Sequence, residues 1–326
     1  MLEMSDFSVF VFPYDRASRG SSVQAYMDTA QQAETLGYYS VSLPFATRQA
    51  PTIERAEGAF DRSNPDRLVM LDPMLLAPLL VHATKDIRIG MHSASLPLLH
   101  PYHWARFFST LDVMSGGRID AGMCLGGIPA EFKHLGLPKT KRGKISDETL
   151  EVIARLWLED EVNFRGTYVQ IEGATLDPMP VQRPHPPIWW GGGVAGVPRA
   201  ARHCQYILPV APTPAFLAEE LVPAVAAETA KTGTTLKLGA LVWAEIVVDG
   251  RDVETQILPG YETFQHQPGA DLVGSPEAVA TGIRALREAG LGHFILDFNR
   301  HGLDPLSQIG TQMELFVSEV LPLLID

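Results

Sequence analysis

A chain of 326 residues with 46% hydrophobic residues can bury a large core, and its formal net charge of -12 argues against nucleic acid or an anionic membrane as the main partner. The two cysteines, Cys124 and Cys204, have no metal-type spacing and are too few for a disulfide framework, so neither a zinc site nor a cysteine scaffold is expected. No stretch is long and apolar enough to span a membrane, and MLEMSDFSVF has no signal-type pattern, which points to a cytoplasmic protein acting on small molecules.

Apolar runs alternate with amphipathic stretches from end to end, with no Gly, Ser or Pro linker, so residues 1–326 read as one α/β domain. Residues 7–12 form a first strand and 23–36 a helix stopped by Gly37, with Tyr26, Ala30, Ala33 and Leu36 inward. A second strand spans 38–43. Residues 45–71, with Pro51, Gly58, Pro65 and many charges, form a long excursion of the kind that often covers an active site. A helix over 73–83 follows.

The segment 86–127 then reads as strand, helix, strand. Ile87, Ile89 and Met91 suit a buried parallel strand that ends in His92, Ser93, Ala94 and Ser95. Pro101 starts a helix with Trp104, Phe107, Phe108, Leu111 and Met114 inward, and Ser115-Gly116-Gly117 closes it. Ile119, Ala121 and Met123 begin the next strand, which runs through Cys124 into Gly126-Gly127.

Beyond this point a helix over 146–158 is introduced by Ser146, Asp147 and Glu148, and residues 162–172 form a small inserted hairpin around Arg165-Gly166. Strands are expected over 188–190, 206–208, 238–248 and 293–298, and helices through Ala201 and over 215–230 and 276–289. Eight strands, nearly all followed by helices, fit a (β/α)8 TIM barrel with insertions. PYDRASRG, after the first strand, lacks the Gly-x-Gly-x-x-Gly of a dinucleotide fold.

In a barrel the strand ends meet at one face. Here that face gathers glycines, aromatics and small residues, with no carboxylate pair, no nucleophile beside a base and no His, Asp and Glu cluster, which suits a bound cofactor that carries the reaction. Gly191-Gly192-Gly193, leading through Val194 into a helix, is read as a phosphate cradle. Gly274-Ser275-Pro276-Glu277 is a second candidate, although Pro and Glu make a good helix start with no ligand at all. His92 and Cys124 are the candidate catalytic residues, yet a lone histidine is more often hydrogen-bonded structure and a cysteine between Met123 and Leu125 more often a small hydrophobe. Tyr14, Phe45, Trp190 and Trp243 are read as lining a pocket for a flat or apolar substrate.

RIGMHSASLPLLHP, TLDVMSGGRIDAGMCLGG, PVQRPHPPIWWGGG and VGSPEAVATGIRALREAGLGHFILDF together resemble the bacterial luciferase-like flavin monooxygenases and their deazaflavin (F420) dependent relatives. The resemblance implies a luciferase-like barrel, usually a homodimer, that holds FMN or F420 over the strand ends. It places a non-prolyl cis peptide against the ring near His92-Ser93, with Ala94, Cys124 and Gly126 beside it, and the phosphate at Gly191–Val194. It further implies an organic substrate oxygenated with O2 and reduced FMN from a separate flavin reductase; F420-dependent hydride transfer and flavin binding without turnover are the alternatives. Two positions depart from the family pattern. Leu43-Pro44-Phe45-Ala46 stands where many members have a catalytic histidine motif, and Leu125 replaces the arginine that follows the luciferase cysteine.

Overall fold

The computed structural model describes residues 2–11, 23–45, 71–253, 270–298 and 306–325 in full, and 14–16 and 68–70 as backbone. Its strands run in chain order as β1 (Phe7–Phe10), β2 (Tyr14–Arg16), β3 (Ser40–Leu43), β4 (Leu68–Met70), β5 (Arg88–Ser95), β6 (Ile119–Cys124), β7 (Val162–Arg165), β8 (Gln170–Ala174), β9 (Ile188–Gly191), β10 (Tyr206–Leu208), β11 (Lys237–Ile246), β12 (Leu272–Gly274) and β13 (His293–Asp297). Strands β1, β3, β5, β6, β9, β10, β11 and β13 form a ring of parallel pairs, which Tyr206 and Ile207 of β10 close against Lys237 and Leu238 of β11. Helices cross between successive strands, so the result is a closed eight-stranded (β/α) barrel.

The helix Pro101–Ser115 shows how the sequence sets these crossings. Pro101 occupies the first helical position, the His100 ring accepts the Tyr102 N–H at 3.3 Å, and Gly116 ends the helix at a φ of 67°. Trp104, Phe108, Leu111 and Ser115 form its buried face. Met114, expected inward, lies one 100° step short of Ser115 and is 55% exposed.

Other departures from the sequence reading have local causes. The helix expected from Ser146 starts a turn earlier and spans Arg142–Leu158, because Asp147 and Glu148 are used in tertiary contacts rather than as caps. The Glu148 carboxylate accepts the N–H groups of Thr167, Tyr168 and Val169 at 2.9, 2.7 and 2.8 Å, which ties down the turn between the antiparallel β7 and β8. Strand β12 was not expected. It exists because β11 runs past the barrel rim and its last residues, Ala244–Ile246, pair with Leu272–Gly274. Of the excursion over 45–71, residues 46–67 lie outside the described residues, while β4 pairs antiparallel with β2.

Two features of the barrel interior position the site. At the amino-terminal mouth the wholly buried Asp120 accepts from Arg88 Nη2 at 2.6 Å and Nε at 3.0 Å, and Arg88 also reaches the Ile119 carbonyl at 2.8 Å. At the opposite end the register between β5 and β6 jumps from Met91↔Ala121 to Ala94↔Met123, so His92 and Ser93 together face Gly122. The His92-Ser93 peptide in that bulge is cis.

Candidate active site

A cavity of about 670 Å³ opens at the carboxyl ends of the strands. Phe10, His92, Leu208, Leu241 and Ile295, one from each of five barrel strands, reach it from below. Ser93, Cys124 and the triglycine make one wall, and the segment Pro209–Thr213 with Phe216 makes another. Among the described residues His92 and Cys124 are the only ionisable side chains that line it. A smaller cavity of about 310 Å³ shares Cys124 and Gly191–Gly193 and adds Leu125, Gly126, Gly127, Trp190 and Arg199.

The two cavities differ in chemistry. In the smaller one the Arg199 guanidinium lies 5.1 Å from the centre of the Trp190 ring, and Asp147 accepts from its Nε at 2.8 Å. That carboxylate also accepts from Arg202 at 3.1 Å, so one acid serves two cations. The larger cavity is apolar apart from the hydroxyls of Ser93 and Thr213, the imidazole and the thiol.

Glycine makes the space where the cavities meet. A Cβ on Gly191 would sit 2.7 Å from Ser93 Oγ and 3.1 Å from Cys124 Cβ, and one on Gly126 3.0 Å from Ser95 Oγ. The chain thus comes close to the cavity as bare backbone, as it must where a flat or phosphorylated group is to lie against it.

His92 is buried, and its Nδ1 lies 3.0 Å from Ser42 Oγ. Burial, and less strongly the nearby His293, holds its imidazole down to about pKa 3. The ring packs edge-on against Trp189 with centroids 5.1 Å apart. Burial likewise pushes the Cys124 thiol upward, and its Sγ lies 3.8 Å from both Ser95 Oγ and the Ser93 carbonyl. Neither group is poised as a charged catalyst at neutral pH.

Of the candidate residues, His92, Ser93, Cys124 and Gly191–Gly193 surround one cavity, and Gly126 and Trp190 line its neighbour. Ala94 and Phe45 pack in the main core, Phe45 edge-on against Trp104 at 4.8 Å, and Val194 opens the short turn after the triglycine. Trp243 belongs to a separate small cluster with Ala211, Val247 and Ala270 and does not line the cavity. The side chain of Tyr14 lies outside the described residues. The second candidate loop is a helix start: Ser275 accepts the Ala278 N–H at 3.3 Å, Pro276 follows, and the Gly274 carbonyl is taken by Val247 N–H at 2.8 Å. Arg199 was not anticipated, although its place just beyond the triglycine and Pro198 was a usable signal. The residues reaching up from the barrel interior were also missed; in β13 the alternation of His293, Ile295 and Asp297 carried that information.

A closed parallel barrel with a glycine-walled cavity at the carboxyl ends of its strands defines a TIM-barrel protein. The chain belongs to the luciferase-like monooxygenase family, whose model matches residues 5–258. It is similar in structure to the monooxygenase RslO1 from Streptomyces bottropensis, at a TM-score of 0.81 and 20% identity over 97% of this chain and 99% of that one. An F420-dependent secondary alcohol dehydrogenase in complex with an F420-acetone adduct gives a TM-score of 0.78 at 20% identity over 98% and 99%. The long-chain alkane monooxygenase LadA gives 0.76 at 18% identity over 100% and 92%. Among the described residues no group of three His, Cys, Asp or Glu side chains is placed to hold a metal ion, and no helix is long and apolar enough to cross a membrane.

Proposed function

We propose that this chain is a flavin-dependent monooxygenase that uses reduced FMN and O2 to oxygenate a small organic substrate. The observation that carries the reading is the pair of adjoining cavities that meet at Cys124 and the triglycine, the smaller one lined by Arg199. In this reading FMN would lie with its phosphate at Gly191–Gly193 before Arg199 and its ring against the His92-Ser93 bulge and Cys124. When bound, reduced FMN would supply the electrons that activate O2. The residues of the chain would bind and orient it: Arg199, held by Asp147, meets the phosphate charge, and Phe10, Leu241, Ile295 and Phe216 keep water from the reacting face. Delivery by a separate reductase and assembly into a homodimer belong to the same proposal.

Titration of the protein with FMN and with F420, followed by the visible spectrum of each, tests the reading, together with oxygen uptake when reduced FMN is supplied. Gly192→Leu should abolish FMN binding while the far-ultraviolet spectrum stays unchanged. Tight F420 binding without affinity for FMN would replace this reading by F420-dependent hydride transfer. Leu125, which stands where the luciferases carry an arginine, argues against aldehyde oxidation with light emission. FMN binding with no oxygen uptake on any substrate would leave a flavin carrier.

A further inference from the structure

Five buried polar side chains form one continuous chain through the barrel, from the cavity to the amino-terminal ends of β1 and β13. His92 Nδ1 lies 3.0 Å from Ser42 Oγ, Ser42 Oγ 3.4 Å from Ser40 Oγ, and Ser8 Oγ 2.8 Å from His293 Nε2; between them Ser40 Oγ donates to Ser8 Oγ at 2.8 Å. All five residues are buried.

The direction of the chain follows from counting protons. A serine hydroxyl has one proton to give. Ser40 gives its proton to Ser8, so the contact between Ser40 and Ser42 is filled by the proton of Ser42. Ser42 then has none left, and His92 must donate to it from Nδ1. At the other end Ser8 has accepted from Ser40 and donates to His293, which accepts at Nε2. Every proton in the chain points from His92 towards His293, and the His92 ring nitrogen left over, Nε2, is buried without a hydrogen-bond partner.

We infer that Ser42, Ser40, Ser8 and His293 are positioning residues that hold His92 as its Nδ1–H tautomer, so that the imidazole beneath a bound cofactor ring is neutral and bears a bare Nε2 acceptor. The statement about the ring rests on the function proposed above; the statement about the tautomer does not. Gly90 and Gly122 admit the imidazole at this point, since a Cβ on either would fall within about 2.7 Å of it. The orientation therefore depends on two layers of support, backbone room from the glycines and a proton order from the serines.

Long-range proton–nitrogen correlation of the histidine-labelled protein, without cofactor, reads the tautomer directly. His92 should appear as Nδ1–H in the wild-type protein. Ser8→Ala, which touches neither His92 nor the cavity, frees Ser40 to donate towards Ser42 and Ser42 towards His92, and should shift the His92 ratio towards Nε2–H by about tenfold. Ser8→Thr, which keeps the hydroxyl, should restore the wild-type signal. If Ser8→Ala fails to fold, Ser40→Ala breaks the same chain one link nearer and should produce the same shift. A wild-type His92 found as Nε2–H, or a tautomer indifferent to these changes in folded protein, overturns the inference. Added FMN should then perturb the His92 signals; Nδ1–H with no response to FMN would leave the chain standing and refute the assigned position of the ring.

Discussion

Gly122 and His92 share a space that a single methyl group would fill: a Cβ on Gly122 would lie 2.5 Å from the imidazole Cδ2 and would run into the Met91 carbonyl oxygen. The missing side chain on β6 is thus what lets β5 bulge inward and carry His92 into the barrel. Gly122→Ala should cost roughly 2–3 kcal/mol, the upper part of the range for an overpacked core, because the obstructing atom belongs to the backbone. Gly127→Ala, where nothing lies within 4 Å, is the matched control and should change stability by less than about 0.5 kcal/mol. Urea denaturation of both variants measures the difference, and equal stabilities would show that the bulge can relax.

The buried imidazoles of His92 and His293 make stability depend on pH. Both are held to about pKa 3, chiefly by burial, whereas an unfolded histidine titrates near 6.5. The folded pKa is the lower one, so the stabilisation is present in full above pH 6.5 and is lost as pH falls from there towards 3. The slope approaches about 1.4 kcal/mol per pH unit for each histidine. His293→Gln keeps an acceptor for Ser8 and should flatten the decline between pH 6.5 and 4.5 relative to wild type, as read by denaturant midpoints. An unchanged slope would mean that carboxylates elsewhere dominate the acid response.

The barrel was legible because each of its strands is a short, mostly buried apolar run bounded by turn residues, a pattern visible over 7–12 and again over 293–298. The hydrogen-bonded chain was not, since Ser8, Ser40 and Ser42 look like ordinary strand polar residues until the register sets them side by side. The same holds for Arg199, whose partner Asp147 is 52 positions away. Period-2 alternation gives the face of a side chain but not its neighbour across strands, so the aromatic residues Phe45 and Trp243 were placed in a pocket on type alone. What the residues did show locally was the bulge region and the triglycine, where small residues interrupt otherwise apolar strands.

Cys124 should report cofactor occupancy. Its thiol lines both cavities and is raised in pKa by burial, so thiolate is scarce at neutral pH. Alkylation by iodoacetamide should therefore be slow at pH 7 and accelerate as pH rises above 9, with Cys204 slower still because burial pushes its pKa further upward. Saturation with FMN should suppress Cys124 labelling at least tenfold, as counted by peptide mass spectrometry. Labelling at the same rate in the presence and absence of bound FMN would place the ring elsewhere.

The ion pair at the amino-terminal mouth is predicted to matter for folding rather than for chemistry. Asp120 is wholly buried, and burial outweighs the guanidinium in pushing its carboxyl above the usual range, so the charge is tolerated chiefly because Arg88 answers it at 2.6 Å. Arg88→Met removes the answering charge and should cost about 3–5 kcal/mol at pH 7, the penalty of leaving a buried carboxylate alone. In that variant the penalty belongs to the ionised form, so stability relative to wild type should improve as pH falls and Asp120 takes a proton. Arg88→Met with Asp120→Leu removes both charges and should recover most of the loss. Cofactor affinity should be unchanged in the folded double variant, because the pair sits at the mouth opposite the cavity. Calorimetry of the three proteins at pH 5 and pH 7 decides the matter, and an Arg88→Met loss that is independent of pH would assign the cost to lost packing against Tyr39 instead.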